Sequence, residues 1–468
     1  MPCGYRFAAA VVIALVFAAS PCPASADPVR VYRVEDLGFL GGSNYLVGVA
    51  INAHGDVAGW TTGADGVLRA FRWTAAGALE DLGTNGGQAA MASAINDAGD
   101  VVGQYWAEDG GELPFIARRG GVMTDLSTMY PEILEIDSIN NDGQLAGLTR
   151  SGHAFKTLPG GALVEFGTHF SFAASLNGAG EVAGVGWHDE TRSLPQTAFR
   201  YSDATALVDL GTIRGGGSGA YAINSRGVIV GWAGGTQAIP ARAFRAKPGL
   251  PMEDLGVLAG GFLGGTAVAY AVNDAGDTVG AADGPLGWSP FLYTDARGMI
   301  DLRDRMPIAD QWVFVVDAAT AINQAGQIVA GYNSPSQDRY GTVRLTPVPF
   351  DGPVAAPTAD PSVLGPPNHR MVAVTVAPHA TDAYDAAPIC RIARVVNSEG
   401  PRSGLDRDVA ITGPLSVNLR ATRQGSGPGR SYTITLGCSD VLGAASMADV
   451  VVVAPHDHGE DDENHDPE

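Results

Sequence analysis

The residues best suited to contact a ligand are six of the seven tryptophans in this 468-residue chain. An indole ring is a flat apolar surface with one polar N–H edge, a combination that suits the face of a sugar ring. Each of the six lies in a segment whose length varies between repeats of the sequence, and such segments often carry binding residues. The predicted ligand-binding residues are Trp60, Trp106, Trp187, Trp232, Trp288 and Trp312. The alternative is packing between structural units, which fits Trp60 and Trp232 because each directly follows a repeated glycine.

Other catalytic or metal-binding patterns are scarce. His188, Asp189 and Glu190 are consecutive, but no further residue at motif spacing joins them, which favours a solvated loop. The chain has no nucleophile elbow, no His-Glu-x-x-His motif and no phosphate-binding loop. Two turns, at Asn96 and Asn273, resemble calcium loops but lack enough ligands. We therefore predict no catalytic residue, no metal site and no cofactor.

An asparagine followed three residues later by a glycine recurs seven times, at intervals of 37 to 50 residues. Both residue types tolerate the left-handed dihedral angles of tight turns. Apolar residues flank each copy, so the pattern predicts a strand–turn–strand hairpin. The asparagines are Asn52, Asn96, Asn140, Asn177, Asn224, Asn273 and Asn323.

A phenylalanine followed ten residues later by an acid recurs six times, which indicates a second hairpin of fixed length. The pairs are Phe71 and Asp81, Phe115 and Asp125, Phe155 and Glu165, Phe199 and Asp209, Phe244 and Asp254, and Phe291 and Asp301. One acid per repeat favours a structural hydrogen-bonding role over catalysis. Four strands in a repeat of this length predict the blade of a β-propeller.

The order of the repeats predicts how the ring closes. The last repeat ends without its Asp-Leu segment, whereas such a segment occurs before the first asparagine, so 29–37 should supply the outer strand of the last blade. The prediction is an all-β, seven-bladed β-propeller over 27–347, with a linear β-solenoid as the alternative. The connections of variable length should all leave from one face of the disc, which is the predicted binding face.

The repeat also resembles a known family. His153, Ala154 and Phe155, the Ala-Phe pairs ending at Phe71, Phe199 and Phe244, and the Asp-Leu-Gly blocks are similar to the HAF repeats of exported bacterial proteins. The seventh repeat departs from the pattern, because Val343 stands where phenylalanine is expected. The resemblance covers about 35–345 and implies an extracellular repeat architecture with no established activity.

A second domain is predicted after the repeats. A Pro- and Ala-rich linker, 348–360, precedes strand-like segments over 361–455, which predict a small β-sandwich. Cys390 and Cys438 lie on two of these segments and are predicted to form one disulfide. The region resembles the immunoglobulin-like modules that end many exported bacterial proteins, although Gly365 replaces a common tryptophan. The last segment, 456–468, holds seven acids and three histidines and predicts a solubilising tail.

The N-terminus and the charge define the compartment and the excluded partners. Residues 1–26 combine one arginine, an apolar run and a terminal Ala-Ser-Ala, the pattern of a cleaved signal peptide, with a retained anchor as the alternative. A net charge of −21 with only two lysines argues against a nucleic-acid partner. We expect an extracellular or periplasmic monomer with no membrane span in the mature chain.

These features predict an exported, non-catalytic binding or adhesion protein that uses the variable-loop face of the propeller. Its ligand would be a glycan or an extracellular protein. The alternatives are an enzyme acting on polysaccharide, such as a glycosidase or lyase, and a structural protein of the cell envelope.

Overall fold

A computed structural model describes residues 30–41, 44–167, 169–187, 195–213, 215–235, 240–261, 264–285, 287–311, 315–334, 338–366, 368–399, 408–422 and 429–455. Within these ranges the chain is almost entirely antiparallel β-structure, which confirms the all-β prediction. The predicted signal peptide (1–26), the predicted tail (456–468), Trp312 and the segment 188–190 lie outside the described residues.

Seven four-stranded sheets follow one another along the chain. Sheet 1 contains β2 (Leu46–Ile51), β3 (Val57–Thr62), β4 (Leu68–Trp73) and β5 (Leu79–Gly83). Sheet 2 contains β6 (Ala89–Ile95), β7 (Val101–Trp106), β8 (Glu112–Ala117) and β9 (Met123–Asp125). Sheet 3 contains β10 (Ile133–Ile139), β11 (Leu145–Thr149), β12 (Ala154–Thr157) and β13 (Leu163–Phe166). Sheet 4 contains β14 (Ser171–Leu176), β15 (Val182–Gly186), β16 (Thr197–Ser202) and β17 (Ala206–Asp209).

The remaining three sheets repeat this order of strands, with one exception. Sheet 5 contains β18 (Gly217–Ile223), β19 (Ile229–Gly234), β20 (Arg242–Ala246) and β21 (Glu253–Asp254). Sheet 6 contains β22 (Ala267–Val272), β23 (Thr278–Gly284), β24 (Gly287–Thr294) and β25 (Gly298–Asp301). Sheet 7 contains β26 (Val315–Ile322), β27 (Ile328–Ser334) and β28 (Arg339–Val348), and its fourth strand is β1 (Val31–Asp36). The N-terminal strand therefore pairs with β28, as predicted for 29–37.

Two short helical segments follow sheet 6. Leu302–Arg305 is a 3-10 turn, which begins where Asp301 accepts a hydrogen bond from the backbone N–H of Arg303 at 2.9 Å. Ile308–Gln311 is a single α-helical turn, α1.

The repeated asparagine builds the turn between the first and second strands of each sheet. In sheet 1, the Oδ1 atom of Asn52 accepts hydrogen bonds from the backbone N–H groups of His54 (3.0 Å) and Asp56 (2.9 Å). Gly55 completes the turn at φ +83°, a left-handed conformation that side chains rarely adopt. The predicted hairpin is confirmed, and its sequence pattern follows from these two requirements.

The asparagine amides also connect each sheet to the next, which the sequence did not predict. Each Nδ2 group donates to the backbone carbonyl of the asparagine in the following sheet, and the seventh, Asn323, donates to Asn52 of sheet 1 at 3.0 Å. The other six bonds measure 2.8–3.5 Å and run from Asn52 to Asn96, Asn96 to Asn140, Asn140 to Asn177, Asn177 to Asn224, Asn224 to Asn273, and Asn273 to Asn323. All seven asparagines are buried, so this amide circuit satisfies polar groups that water does not reach.

The phenylalanine and acid of each repeat face each other across the second hairpin. Phe71 pairs with Asp81, for example, and the same register holds in the five other sheets that carry the pattern. The phenylalanines are buried. In five of the six repeats the acid is an aspartate that accepts a bond from a backbone N–H two residues later, as Asp81 does from Gly83 at 2.8 Å. The predicted structural role of these aspartates is confirmed.

The C-terminal part of the described chain contains three further sheets. One sheet contains, in spatial order, β30 (Thr358–Asp360), β31 (Met371–Ala377), β35 (Ser416–Arg420) and β34 (Val409–Gly413). Another contains β33 (Ile389–Asn397), β36 (Arg430–Ser439) and β37 (Ala445–Ala454). The third is a pair of short strands, β29 (Val354–Ala355) and β32 (Ala380–Thr381). The two larger sheets share one hydrophobic core, to which Val374, Val417, Ile434 and Leu436 contribute.

The predicted Cys390–Cys438 disulfide is present. The two cysteines are directly opposite each other on β33 and β36, so the bond joins neighbouring strands of one sheet. It closes a segment with a sequence separation of 48 and thereby restricts the unfolded chain.

Breaking the amide circuit should destabilise the protein. Asn224→Ala removes the bond to the Asn273 carbonyl (2.8 Å) and two bonds accepted from the backbone of Arg226 and Val228. Because buried backbone groups lose their partners, we expect the free energy of unfolding to fall by about 2 kcal/mol. Urea unfolding measures this change. The exposed Asn333→Ala is the control and should stay within about 0.5 kcal/mol of wild type; equal losses in both variants would contradict the role of the circuit.

Removing the disulfide should affect the C-terminal sheets selectively. The double substitution Cys390→Ser and Cys438→Ser should lower their stability by about 2–4 kcal/mol, because the unfolded segment gains conformational freedom. Amide hydrogen exchange should show faster exchange in β30 to β37 and unchanged protection of the asparagine turns. Uniformly faster exchange through both regions would contradict this prediction.

Candidate ligand-binding site

Five of the six predicted tryptophans are described, and all lie near the ends of strands remote from the asparagine turns. Trp60, Trp106 and Trp232 lie on second strands and Trp187 directly follows one, whereas Trp288 lies near the start of a third strand. Trp288 is exposed, at 44%, whereas the other four are half-buried. The structure brings Trp60 and Trp232 into one group of aromatic side chains.

The first part of this group is a stack of three rings at the junction of sheets 1 and 7. Tyr45 lies 5.4 Å from Trp60 and 5.4 Å from Tyr340, measured between ring centroids, and is nearly parallel to Tyr340. The backbone holds the stack, because the N–H of Tyr340 donates to the carbonyl of Asn44 at 2.9 Å. Tyr45 is 37% exposed, so the stack is accessible from solvent.

A carboxylate lies directly beside this stack. The hydroxyl of Tyr340 donates to Oδ1 of Asp317 at 3.3 Å. Gly331 on the neighbouring strand leaves room for both groups, because a Cβ atom there would collide with the Tyr340 hydroxyl. Burial raises the pKa of Asp317, and the Tyr340 hydrogen bond partly opposes that shift.

The second part of the group lies on sheets 5 and 6. Tyr221 and Tyr270 are 5.6 Å apart between ring centroids. Burial raises the pKa of Tyr221, and the neighbouring indole of Trp232 partly opposes that shift. Burial raises the pKa of Tyr270, and the nearby Tyr221 and Asp317 raise it further. Tyr270 therefore connects the two parts electrostatically. We call Trp60, Tyr45, Tyr340, Asp317, Tyr270, Tyr221 and Trp232 the aromatic chain.

Trp232 has a packing role within the aromatic chain. A Cβ atom added at Gly219 would lie 2.7 Å from its Nε1 atom, and one at Gly217 would lie 3.5 Å from its ring. The indole thus covers the space that side chains of β18 would fill. The predicted alternative to ligand binding was packing between structural units, whereas these glycines lie on β18 of the same sheet as Trp232.

A β-bulge in the first strand of every sheet positions the two tyrosines. The residue three places before the repeated asparagine is skipped in the pairing with the second strand, and Tyr221 and Tyr270 occupy this bulge position in β18 and β22. β26 has a second bulge, which holds Asp317. The bulge residues of the other five sheets are Val49, Ser93, Asp137, Ala174 and Thr320.

Five members of the aromatic chain were not predicted from the sequence: Tyr45, Tyr221, Tyr270, Tyr340 and Asp317. A usable signal was present for two of them, because Tyr221 and Tyr270 occupy the same position of a repeat whose neighbouring residues change little. Residue type alone points to the tryptophans and does not distinguish a tyrosine at a bulge from one elsewhere in a strand.

The same bulge position holds a carboxyl group in sheet 3. The Oδ2 atom of Asp137 is buried and has no hydrogen-bond partner, although the side chain as a whole is half-buried. Burial, Glu135 and Glu112 together raise the pKa of Asp137 to about 8. Burial also raises the pKa of Glu112, assisted by Glu135 and opposed by Arg150. Asp137 therefore keeps its proton near neutral pH.

Among the described residues, two of the cavities outside the aromatic chain lie in the region of the seven sheets. Trp187 contacts Phe170 edge-on, at 5.2 Å between centroids, and lines a cavity of about 460 Å³ with His169 and Asp209. A second cavity, of about 470 Å³, lies beside the 3-10 turn and is lined by Arg303, Arg305 and apolar side chains. Among the described residues, neither Trp106 nor Trp288 has a ring contact with the aromatic chain.

Two general features bear on cofactors and membranes. In the described ranges, no group of three or more His, Cys, Asp or Glu side chains is placed to hold a metal ion. The same residues include no helix with the length and apolar character needed to cross a bilayer.

Comparison with known proteins assigns neither a family nor a function to this chain. No family model matches the chain, and no curated protein matches it. One solved structure with some similarity is a mutant of AofleA from Arthrobotrys oligospora in which three arginines are changed to alanine. The two sequences are 11% identical, the TM-score is 0.29, and the match covers 58% of this chain and 90% of that one. Another is a luciferin-regenerating enzyme, with 10% identity and a TM-score of 0.32. That match covers 68% of this chain and 97% of the enzyme. Both TM-scores are below 0.5, so neither neighbour assigns a fold or a function here.

The raised pKa of Asp137 should make stability depend on pH. The folded state binds a proton that the unfolded state releases near pH 4, so stability should fall as the pH rises from about 4 to about 8. Asp137→Asn should flatten this dependence and stabilise the protein at pH 8, by on the order of 2 kcal/mol once solvent contact is discounted. Urea unfolding at pH 5 and pH 8 measures it. Asp142→Asn, an exposed carboxylate of the same sheet, is the control; a pH profile unchanged by Asp137→Asn would refute the shift.

Proposed function

We propose that the seven sheets are the blades of a closed seven-bladed β-propeller over 27–347, followed by a linker (348–360) and an immunoglobulin-like domain (361–455). Three observations support closure. The amide circuit returns from Asn323 to Asn52, and β1 joins the N-terminal end of the chain to the last sheet. The first strands also contact one another in sequence, and β2 contacts β26. The bulge positions would then face the central axis.

We further propose that the protein is an exported, non-catalytic binding protein whose ligand is a glycan. The observation that carries this proposal is the aromatic chain, in which rings of sheets 5, 6, 7 and 1 follow one another and Asp317 lies beside Tyr340 and Tyr270. Rings that are packed in place yet partly exposed lose little conformational freedom when they bind a sugar face. Tyr45 and Tyr221, each 37% exposed, offer such surfaces.

Export is supported by the disulfide, which persists in oxidising compartments, and by the signal-peptide pattern of residues 1–26. The resemblance to HAF repeats agrees with an extracellular or periplasmic location. The net charge of −21 argues against nucleic acid as the ligand. A monomer suffices for this function, because a single polypeptide supplies every residue of the aromatic chain.

One observation favours a second candidate, an enzyme acting on polysaccharide. Asp137 retains its proton near neutral pH beside two other carboxyl groups, an arrangement that general acid catalysis uses. An enzyme would release new reducing ends from a polysaccharide, and Asp137→Asn would abolish that release. A binding protein would release none.

Polysaccharide titration of the mature chain, 27–468, tests the binding proposal. Tryptophan fluorescence should show a saturable change with at least one member of a panel, and Trp60→Ala should weaken that binding at least about tenfold, because stacking is worth about 1–3 kcal/mol. Trp60 is preferred to Trp232, whose loss would also leave a gap over Gly217 and Gly219.

The control is Trp288→Ala, which removes a more exposed indole that lies outside the aromatic chain. It should bind like wild type. A flat response across the panel, or equal weakening by both variants, would refute glycan binding at the aromatic chain.

A further inference from the structure

We infer that the aromatic chain recognises a protonated amino group, with Asp317 as its counter-charge, so that the preferred glycan carries free amines. This inference rests on the proposed function and names the ligand class of the same site. It depends on the charge of Asp317, on neighbouring rings over which no cation of the described chain lies, and on the charge of the whole chain.

Asp317 has no cationic partner within the described part of the chain. Its interactions there are the Tyr340 hydroxyl at 3.3 Å and nearby backbone groups, and no arginine or lysine forms an ion pair with it. Partial burial of a carboxylate without a cation is unfavourable. An ammonium group beside Asp317 would supply the missing charge and hydrogen-bond donors to both carboxylate oxygens.

The rings around Asp317 are also suited to a cation. An ammonium group over the face of a tyrosine or tryptophan is attracted by the negative face of the ring. Elsewhere the protein fills such faces from within, as Arg344 does over Trp73 (4.5 Å) and Arg245 over Tyr293 (5.2 Å). Among the described residues, no arginine or lysine lies over Tyr340, Tyr270 or Tyr221.

The overall charge of −21 acts in the same direction, because it attracts cationic ligands over long range and repels anionic ones. A neutral glycan would gain the stacking contacts but would leave Asp317 uncompensated. A glycan with carboxylate or sulfate groups would add repulsion. An amine-bearing glycan is therefore the class that satisfies both the rings and the carboxylate.

Two matched probes test this inference: a tetramer of glucosamine and a tetramer of N-acetylglucosamine, which share one sugar backbone and differ in the acetylation, and therefore the charge, of the amino groups. At about pH 6, where the amines are protonated, the mature chain should bind the glucosamine tetramer at least about tenfold more tightly, measured by calorimetry. Asp317→Asn should abolish this preference, so that the variant binds the two tetramers equally. Asp351→Asn, which removes an exposed carboxylate outside the aromatic chain, should keep the preference.

The possible outcomes separate the inference from the proposed function. Equal binding of both tetramers would overturn the inference and leave glycan binding standing. A preference that persists in folded Asp317→Asn would overturn the role of Asp317. Binding of neither tetramer, nor of any polysaccharide in the panel, would overturn both.

A second measurement needs no variant. Tetramethylammonium chloride should displace the glucosamine tetramer from the wild-type chain more effectively than sodium chloride at the same ionic strength, because only the former offers an organic cation to the rings. Equal displacement by the two salts would show that the preference comes from non-specific attraction between charges, and would overturn the inference.

Discussion

The structure depends most on the side-chain amides of seven buried asparagines. Each amide performs two functions: its oxygen closes the turn within one sheet, and its nitrogen donates to the turn of the next sheet. A buried amide that lacked either partner would cost about 1–3 kcal/mol, so the spacing between successive turns cannot change without a penalty. The amide circuit therefore sets the separation of the first strands and, with it, the distances between side chains that those strands carry. Asn323, which bonds to Asn52, applies this constraint between sheet 7 and sheet 1 as well.

The bulge next to each turn gives the scaffold a position that can vary freely. Because the bulge residue is skipped in the pairing of the first and second strands, its side chain is not needed for register or for the core. The bulge also moves a backbone carbonyl towards the second strand, where only a glycine fits: a Cβ atom at Gly59 would collide with the carbonyl of Val47. The repeated glycine is thus a consequence of the bulge, and tyrosine, aspartate or alanine can occupy the bulge position without changing the backbone.

The sequence predicted the parts of the structure that repeat. Seven asparagine turns, the hairpin between Phe71 and Asp81, the N-terminal strand in the last sheet and the disulfide all follow from spacing, because turn residues and strand lengths leave regular marks. The candidate site was predicted only in part. Trp60 and Trp232 belong to it, but Trp232 also packs over glycines, and Asp317 occupies a second bulge that, among the seven first strands, β26 shares only with β10. Contacts between sheets, such as that of Tyr45 with Tyr340, depend on the rotation of one sheet against the next, which spacing does not encode.

The bulge residues differ around the repeat in a way that bears on how a ligand would sit. The bulge position holds a tyrosine in sheets 5 and 6, and Ser93, Asp137 and Ala174 in sheets 2 to 4. In sheet 7 a second bulge holds Asp317. The remaining members of the aromatic chain, Tyr340, Tyr45 and Trp60, lie near the junction of sheets 7 and 1 but not at bulges. In a closed propeller the tyrosines of sheets 5 and 6 would lie at bulge positions beside the axis, whereas Trp60 and Tyr340 lie on a second and a third strand, farther from it. An extended ligand lying across sheets 5, 6, 7 and 1 would therefore fit the proposed binding site better than a compact ligand centred on the axis.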